Sequence, residues 1–165
     1  MKKTILFKTL VDLLYIFHFI GLIGIVLILP FGTISINQAV IDIEDWNLFY
    51  WLIFSVSLGT YIVFLRGLYF LRKMSRALLS NKYFSESIIT NLKRSGNHFL
   101  IAGVFSLSLS ISIEIRKFFE DKFELIYDNN LLIGLFLTMI GLFFIIQSNT
   151  LTLLKVRNEE NKLTV

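Results

Sequence analysis

Polar and apolar positions alternate along this chain in large blocks rather than residue by residue. Four long apolar stretches run from about Thr9 to Pro30, Leu48 to Leu71, His98 to Ile115 and Leu131 to Leu154. A helix rises ~1.5 Å per residue, so crossing a hydrocarbon layer of roughly 30 Å takes about 20 residues. The pattern therefore predicts four membrane-spanning helices. The third stretch is the shortest and carries Ser106, Ser108, Ser110 and Ser112. It is counted as a span because omitting it would put the following loop on the wrong side. The start, Met-Lys-Lys before an apolar run, is similar to a secretory signal, but the run is long, holds Asp12 and His18, and leads to no small-residue cleavage site. It is read as a retained first helix.

Between the second and third spans lies a polar segment, 72–97, with a pattern of its own. Phe84, Ile88 and Leu92 recur every four residues and share one helical face, flanked by Lys93 and Arg94. Ser85 or Ser87 can cap the start of such a helix and Gly96 can end it. The expectation is a short interfacial helix on the cytoplasmic surface, apolar side down, with its basic side chains toward lipid phosphates. The third loop mixes acids with Phe118, Phe119, Phe123 and Tyr127, aromatics suited to a membrane interface.

Charge then orients the chain. Lys2, Lys3 and Lys8 precede the first span. Arg66, Arg72, Lys73, Arg76, Lys82, Lys93 and Arg94 surround the second loop, and Lys155, Arg157 and Lys162 follow the last span. Against these stand only Arg116, Lys117 and Lys122 in the third loop, while the first loop carries Asp42, Glu44 and Asp45. Since basic loops stay on the cytoplasmic side, both termini and the middle loop are expected there. The fold expected is all-α: an integral membrane four-helix bundle, N-in and C-in, forming one domain over residues 1–165 with a cytoplasmic tail at 155–165.

Composition agrees with this class. Of 165 residues, 55% are hydrophobic and 17% charged, with 17 Phe and one Pro. Ordinary soluble domains carry roughly 25% charged residues, and a short soluble chain needs polar residues to cover its large relative surface. The net charge of +4 is explained by lipid headgroups and membrane insertion, so no direct nucleic-acid binding is expected. The chain has no cysteine, which excludes disulfides, thiolate metal sites and a cysteine nucleophile.

Within lipid, helices associate where small residues let backbones approach. Gly21 and Gly24 in the first span, Gly103, Ser106 and Ser110 in the third, and Gly134, Thr138 and Gly141 in the fourth form small-residue stripes. They are read as packing within the bundle, with a homo-oligomer face as the alternative. Ionisable groups in a membrane suggest function by default. Asp12 lies one turn past Lys8, where it can pair with a basic residue of the middle loop; His18 lies deeper and is read as a hydrogen-bonded bundle residue. No span is broken by proline and no acid sits at mid-membrane, which argues against a coupled transporter. No nucleophile elbow, phosphate-binding glycine loop or His-Glu-x-x-His pattern occurs. No catalytic residue, metal site or cofactor is assigned, and the chain is read as non-enzymatic.

Two segments carry a family resemblance. Lys82-Tyr-Phe-Ser85 leads into Asn91-Leu-Lys-Arg-Ser-Gly96, and the chain closes with Glu159-Glu-Asn-Lys-Leu-Thr-Val165. Together with four spans and a basic middle loop, these resemble the DUF2975 family of uncharacterised bacterial membrane proteins. The first is similar to that family's phenylalanine followed by a Leu-Arg-x-x-Gly-like element, and the second to its acidic segment ending in Asp-Leu-Thr-Ile. Lys162 stands where an acid is usual, and Thr152-Leu-Leu-Lys-Val-Arg157 departs from the family's Ile-Phe-x-x-Gly. The resemblance implies a bacterial inner-membrane protein, often encoded beside a small Cro/C1-type helix-turn-helix regulator. Glu159, Glu160, Leu163 and Val165 are then candidate docking residues for such a partner. The leading expectation is a membrane-anchored regulatory or interaction protein. An immunity protein against a membrane-active peptide is the alternative, and a small transporter the least favoured.

Overall fold

Each apolar stretch is a single long helix. The computed structural model describes residues 2–28, 33–36, 39–42, 48–79, 85–119 and 129–163. The helices are α1 Lys2–Ile28, α2 Leu48–Leu78, α3 Glu86–Phe119 and α4 Asn129–Leu163. All four are long and apolar enough to cross a membrane. Their outer faces expose large apolar side chains such as Phe17, Leu52, Phe136 and Ile146, as expected of a multi-pass membrane protein. The all-α expectation needs one addition. In the first loop, strands β1 Thr33–Ile36 and β2 Ala39–Asp42 pair antiparallel, with Ile36 opposite Ala39. The two residues joining them are the polar pair Asn37-Gln38, a hairpin-length connection between β-branched runs that span counting passes over.

The helices extend past the expected spans, chiefly at the charged end. α2 continues from Leu71 to Leu78, and α4 from Leu154 to Leu163. The separate interfacial helix expected over residues 84–96 is not what forms. Residues 86–119 make one unbroken helix, capped by Ser85, whose Oγ accepts the Ile88 N–H at 3.4 Å. Gly96 lies inside this helix. Ile88 and Leu92, 2% and 6% exposed, face the bundle rather than a lipid surface. The core explains why. They pack in one cluster with Leu68, Leu71 and Met74 of α2, Phe99 of α3 and Val11 of α1. Lys93 and Arg94 remain exposed, while Phe84 lies outside the described residues.

α3 is the hub of the bundle. It packs along both α2 and α4, whereas α1 leans chiefly on α2. The α3–α4 approach is very close. A Cβ on Gly141 would fall 2.8 Å from Leu100 Cα and 2.9 Å from the Gly96 carbonyl oxygen. One turn-pair further along, a Cβ on Gly103 would lie 2.6 Å from Thr138 N and 2.9 Å from the Gly134 carbonyl oxygen. Only glycine fits at these crossings. Two buried serines tie the same region together: Ser95 donates to the Gly67 carbonyl on α2 at 2.9 Å, and Ser148 of α4 donates to the Ile89 carbonyl on α3 at 3.0 Å. Both bonds cross a helix–helix interface and satisfy hydroxyls that are fully buried.

Replacing Gly141 by Leu should therefore lower unfolding stability in mixed micelles by about 1–3 kcal/mol, the usual cost of overpacking. Gly24→Ala, at a position with nothing within 4 Å, should leave it unchanged or slightly raised. Equal losses for both would mean that the seam is not where the helices are held.

Candidate functional site

The polar residues gather in two places, one at each half of the bundle. At the charged end, Asp12 of α1 meets α2. Arg72 Nε donates to Asp12 Oδ1 at 2.6 Å, Arg76 Nη2 lies 3.5 Å from the same oxygen, and Lys8 Nζ lies 3.3 Å from Oδ2. The periodicity of the two helices sets this up. Lys8 and Asp12 are four residues apart on α1, as are Arg72 and Arg76 on α2, so each pair shares a face. Three cations thus converge on one mostly buried carboxylate. The Arg72 guanidinium also stacks over Tyr15, 5.0 Å from its centroid, which fixes its plane while Nε engages the acid. The arrangement is a clamp, and it leaves an excess of positive charge facing outward.

Beside the clamp the same end presents more cations. Lys73 lies over Tyr69 at 4.9 Å, and Phe70 is flanked by Arg94 at 5.6 Å and by the His98 ring at 5.2 Å. Aromatic faces hold these side chains without neutralising them. At the other end of the bundle Arg116 stacks on Phe49 and Tyr50, at 4.1 and 5.7 Å.

His18 sits away from the clamp, six residues or about 9 Å further along α1. Its Nδ1 lies 2.8 Å from the Leu14 carbonyl oxygen and must carry the proton of that bond, since a carbonyl only accepts. Nε2 is left for another partner. The ring packs edge-on to Phe64 at 5.2 Å, and Tyr61 Oη donates to the His18 carbonyl at 3.0 Å. Here the bundle opens. A cavity of about 430 Å³ is bounded by His18 of α1, Thr60 and Tyr61 of α2, Ser106 and Ser110 of α3, and Leu137 of α4. Among the described residues, no three His, Asp or Glu side chains come together as a metal site.

The small residues divide between two duties. Gly103, Gly134, Thr138 and Gly141 lie on the α3–α4 seam, where Thr138 also bonds the Gly134 carbonyl at 2.9 Å. Ser106 and Ser110, expected in the packing of the bundle, line the cavity, as do Ile133 and Leu137 of α4. They lie three and seven residues beyond Gly103, steps that keep them on the Gly103 face of α3. Gly21 takes Tyr61 Oη within 3.3 Å of where its Cβ would be. At Gly24 a Cβ would meet nothing described within 4 Å. Sequence reading passed over Ser95 and Ser148 and took Gly96, which lies at the crossing with Gly141, for a helix end. The readable signal was the seven-residue step, Gly96 to Gly103 in α3 and Gly134 to Gly141 in α4, which pairs off in antiparallel order.

In the candidate docking segment, Glu159 and Glu160 are exposed on the helical end of α4, and Lys155 Nζ approaches Glu159 Oε1 at 3.9 Å. Leu163 closes α4, and Val165 lies outside the described residues. Searches against family models, curated proteins and solved structures find no match for the chain.

A double-mutant cycle with Asp12→Ala and Arg72→Ala should give a coupling of about 1–2 kcal/mol. The same cycle with the half-exposed Arg76 should give less than about 0.5 kcal/mol. A coupling near zero for Asp12–Arg72 would show that the ion pair does not hold α1.

Proposed function

We propose that this chain is a non-enzymatic, multi-pass protein of the bacterial inner membrane that anchors a cytoplasmic regulatory partner through the end of α4. The observation that carries the reading is the length and surface of that helix. With 35 residues α4 is about 52 Å long, some 20 Å more than a hydrocarbon layer requires. The surplus is a stiff polar rod rather than a loose tail. Arg157, Glu159 and Glu160 are exposed on it, and Leu153 and Val156, three residues apart, leave an apolar strip open at 72% and 47% exposure. An exposed apolar strip rimmed by charges is the form in which a helix docks in a partner's groove.

The clamp end is taken as cytoplasmic because the cations collect there. Arg72, Arg76, Lys73 and Arg94 share it with the N-terminus of α1 and the C-terminus of α4, so both termini are placed inside. The resemblance to the DUF2975 family supplies the partner's identity: a small Cro/C1-type DNA-binding regulator, held at or released from the membrane. The acidic pair Glu159 and Glu160 suits a basic DNA-binding surface, which docking would cover.

The test is a crosslinking pull-down from native membranes with the full chain and with one truncated after Arg157. A small DNA-binding regulator should be recovered with the full chain and fall at least tenfold on truncation or on Glu159→Lys with Glu160→Lys. Equal recovery from all three would remove the docking role of α4. Independently, a reporter fused after Val165 should be active only as a cytoplasmic fusion; an extracytoplasmic signal would overturn the four-span arrangement.

A further inference from the structure

The fully buried serines of the packed half, Ser75, Ser95 and Ser148, each donate to a carbonyl. The cavity differs. Ser110 is only 4% exposed, it lines the cavity, and among the described residues its hydroxyl has no hydrogen-bond partner. Ser106, one turn before it on α3, is likewise without a partner among the described residues, as is the exposed Ser57 on α2. These three hydroxyls can each donate. Of the other lining groups, His18 Nε2 has no partner among the described residues, and Tyr61 Oη and Thr60 Oγ1, which donate to the His18 and Val56 carbonyls, keep their lone pairs. A buried hydroxyl left unmade costs about 1–3 kcal/mol, and the cost is not relieved by hydrocarbon chains. Donors and acceptors gathered on the lining of an open space of about 430 Å³, within the range of small-ligand sites, describe a binding site rather than a packing fault.

We propose that this cavity binds an uncharged membrane lipid whose head is an alcohol or carbonyl group, of the class of diacylglycerols and long-chain isoprenoid alcohols. Three observations select this chemistry. Among the described residues no charged side chain lines the cavity, so an anionic or zwitterionic head would meet no counter-charge there at a depth where charge is costly. Thr60 lies twelve residues, about 18 Å, along α2 from Arg72, too far for a phosphate at the clamp end to reach it. The way in is lateral: Ile133, on the α4 side, lines the cavity yet is 52% exposed, and α1 leans on α2 rather than α4. A lipid can therefore enter between α1 and α4, set its oxygen among Ser106, Ser110 and His18, and leave its chain against Leu137 and Ile133. The proposal depends on the membrane reading, not on what the end of α4 binds.

The test uses the full chain in native membranes with three photoreactive, clickable lipids: a diacylglycerol, a long-chain isoprenoid alcohol and phosphatidylglycerol. One of the two neutral probes should label peptides from residues 57–64 or 102–113, in competition with its unlabelled parent, at least fivefold more than phosphatidylglycerol does. Which of the two succeeds identifies the source of the head group. Ser106→Phe, which fills the cavity, should abolish that label, and Ser110→Ala should lower it about fivefold, the worth of one hydrogen bond. Ser108→Leu, exposed and bonded to the Val104 carbonyl within its own helix, should leave it intact, which separates site loss from misfolding. Equal labelling by all three lipids, or labelling indifferent to Ser106→Phe, overturns the proposal. So does a membrane-retained chain with no label, as a water-filled cavity would give. A chain extracted from membranes at alkaline pH would overturn the membrane reading, and this site with it.

Discussion

Everything in this bundle is referred to the backbone contact between α3 and α4. The two helices touch where glycine faces glycine, at Gly96 with Gly141 and again at Gly103 with Gly134. With no side chain between them, their separation is set by peptide groups, which do not compress. That fixed spacing brings Ser148 within reach of the Ile89 carbonyl and turns the opposite side of α3 toward α2. On that side Ile88, Leu92 and Phe99 fill the space against Leu68, Leu71 and Met74, and Ser95 reaches the Gly67 carbonyl. α2 in turn carries Arg72, to which α1 is held through Asp12. The helices thus form a chain of dependence, α4 to α3 to α2 to α1, with the contact loosening at each step.

For helices long and apolar enough to span a membrane, the energetic logic differs from that of a protein folded in water. In lipid, side chains that would be a hydrophobic core elsewhere gain little by exchanging lipid for one another, so shape and polar ties decide which helices adhere. Close backbone approach is favourable because many weak dispersion contacts accumulate over the seam. The Asp12–Arg72 pair has a different origin. A mostly buried carboxylate is costly without cations, and three are supplied from two helical faces. Holding α1 is therefore a by-product of satisfying Asp12, which is why α1 follows α2 and not α4.

What could be read in the sequence followed from how the signal is stored. Span number depends on long apolar runs, and those are local: each run became one helix. Pairing of Asp12 with a base beyond the second span was also readable, since a lone acid there requires one. Gly96 was misread because a glycine after a short amphipathic run has two physical meanings, a helix end or a close crossing. Only a partner with the same seven-residue step, Gly134 and Gly141, decides between them. Ser106 and Ser110 were read as packing residues because residue size alone does not distinguish a serine against a backbone from one lining a cavity. Ser57 and Tyr61 drew no attention, since they reach the cavity only through the angle at which α2 crosses α3.

The contrast between the two sets of buried hydroxyls separates structure from function more sharply than any motif does. Ser75, Ser95 and Ser148 are fully buried and each donates to a carbonyl, on its own helix or across an interface. All three lie in the packed half, where apolar surroundings penalise an unmade bond and the helices are close enough to make one. Ser110 is nearly as buried, yet a helical carbonyl one turn back, the usual recourse of serine in such surroundings, is not taken, although Ser108 and Ser112 on the same helix take it. Three serines at two-residue steps thus adopt two different states, and only the one pointing into the cavity keeps its hydroxyl uncommitted. Local propensity is the same for all three, so the difference must come from what Ser110 faces. A hydroxyl directed at an open space of ligand size, with no charged side chain on it among the described residues, is suited to bind something that brings its own oxygen.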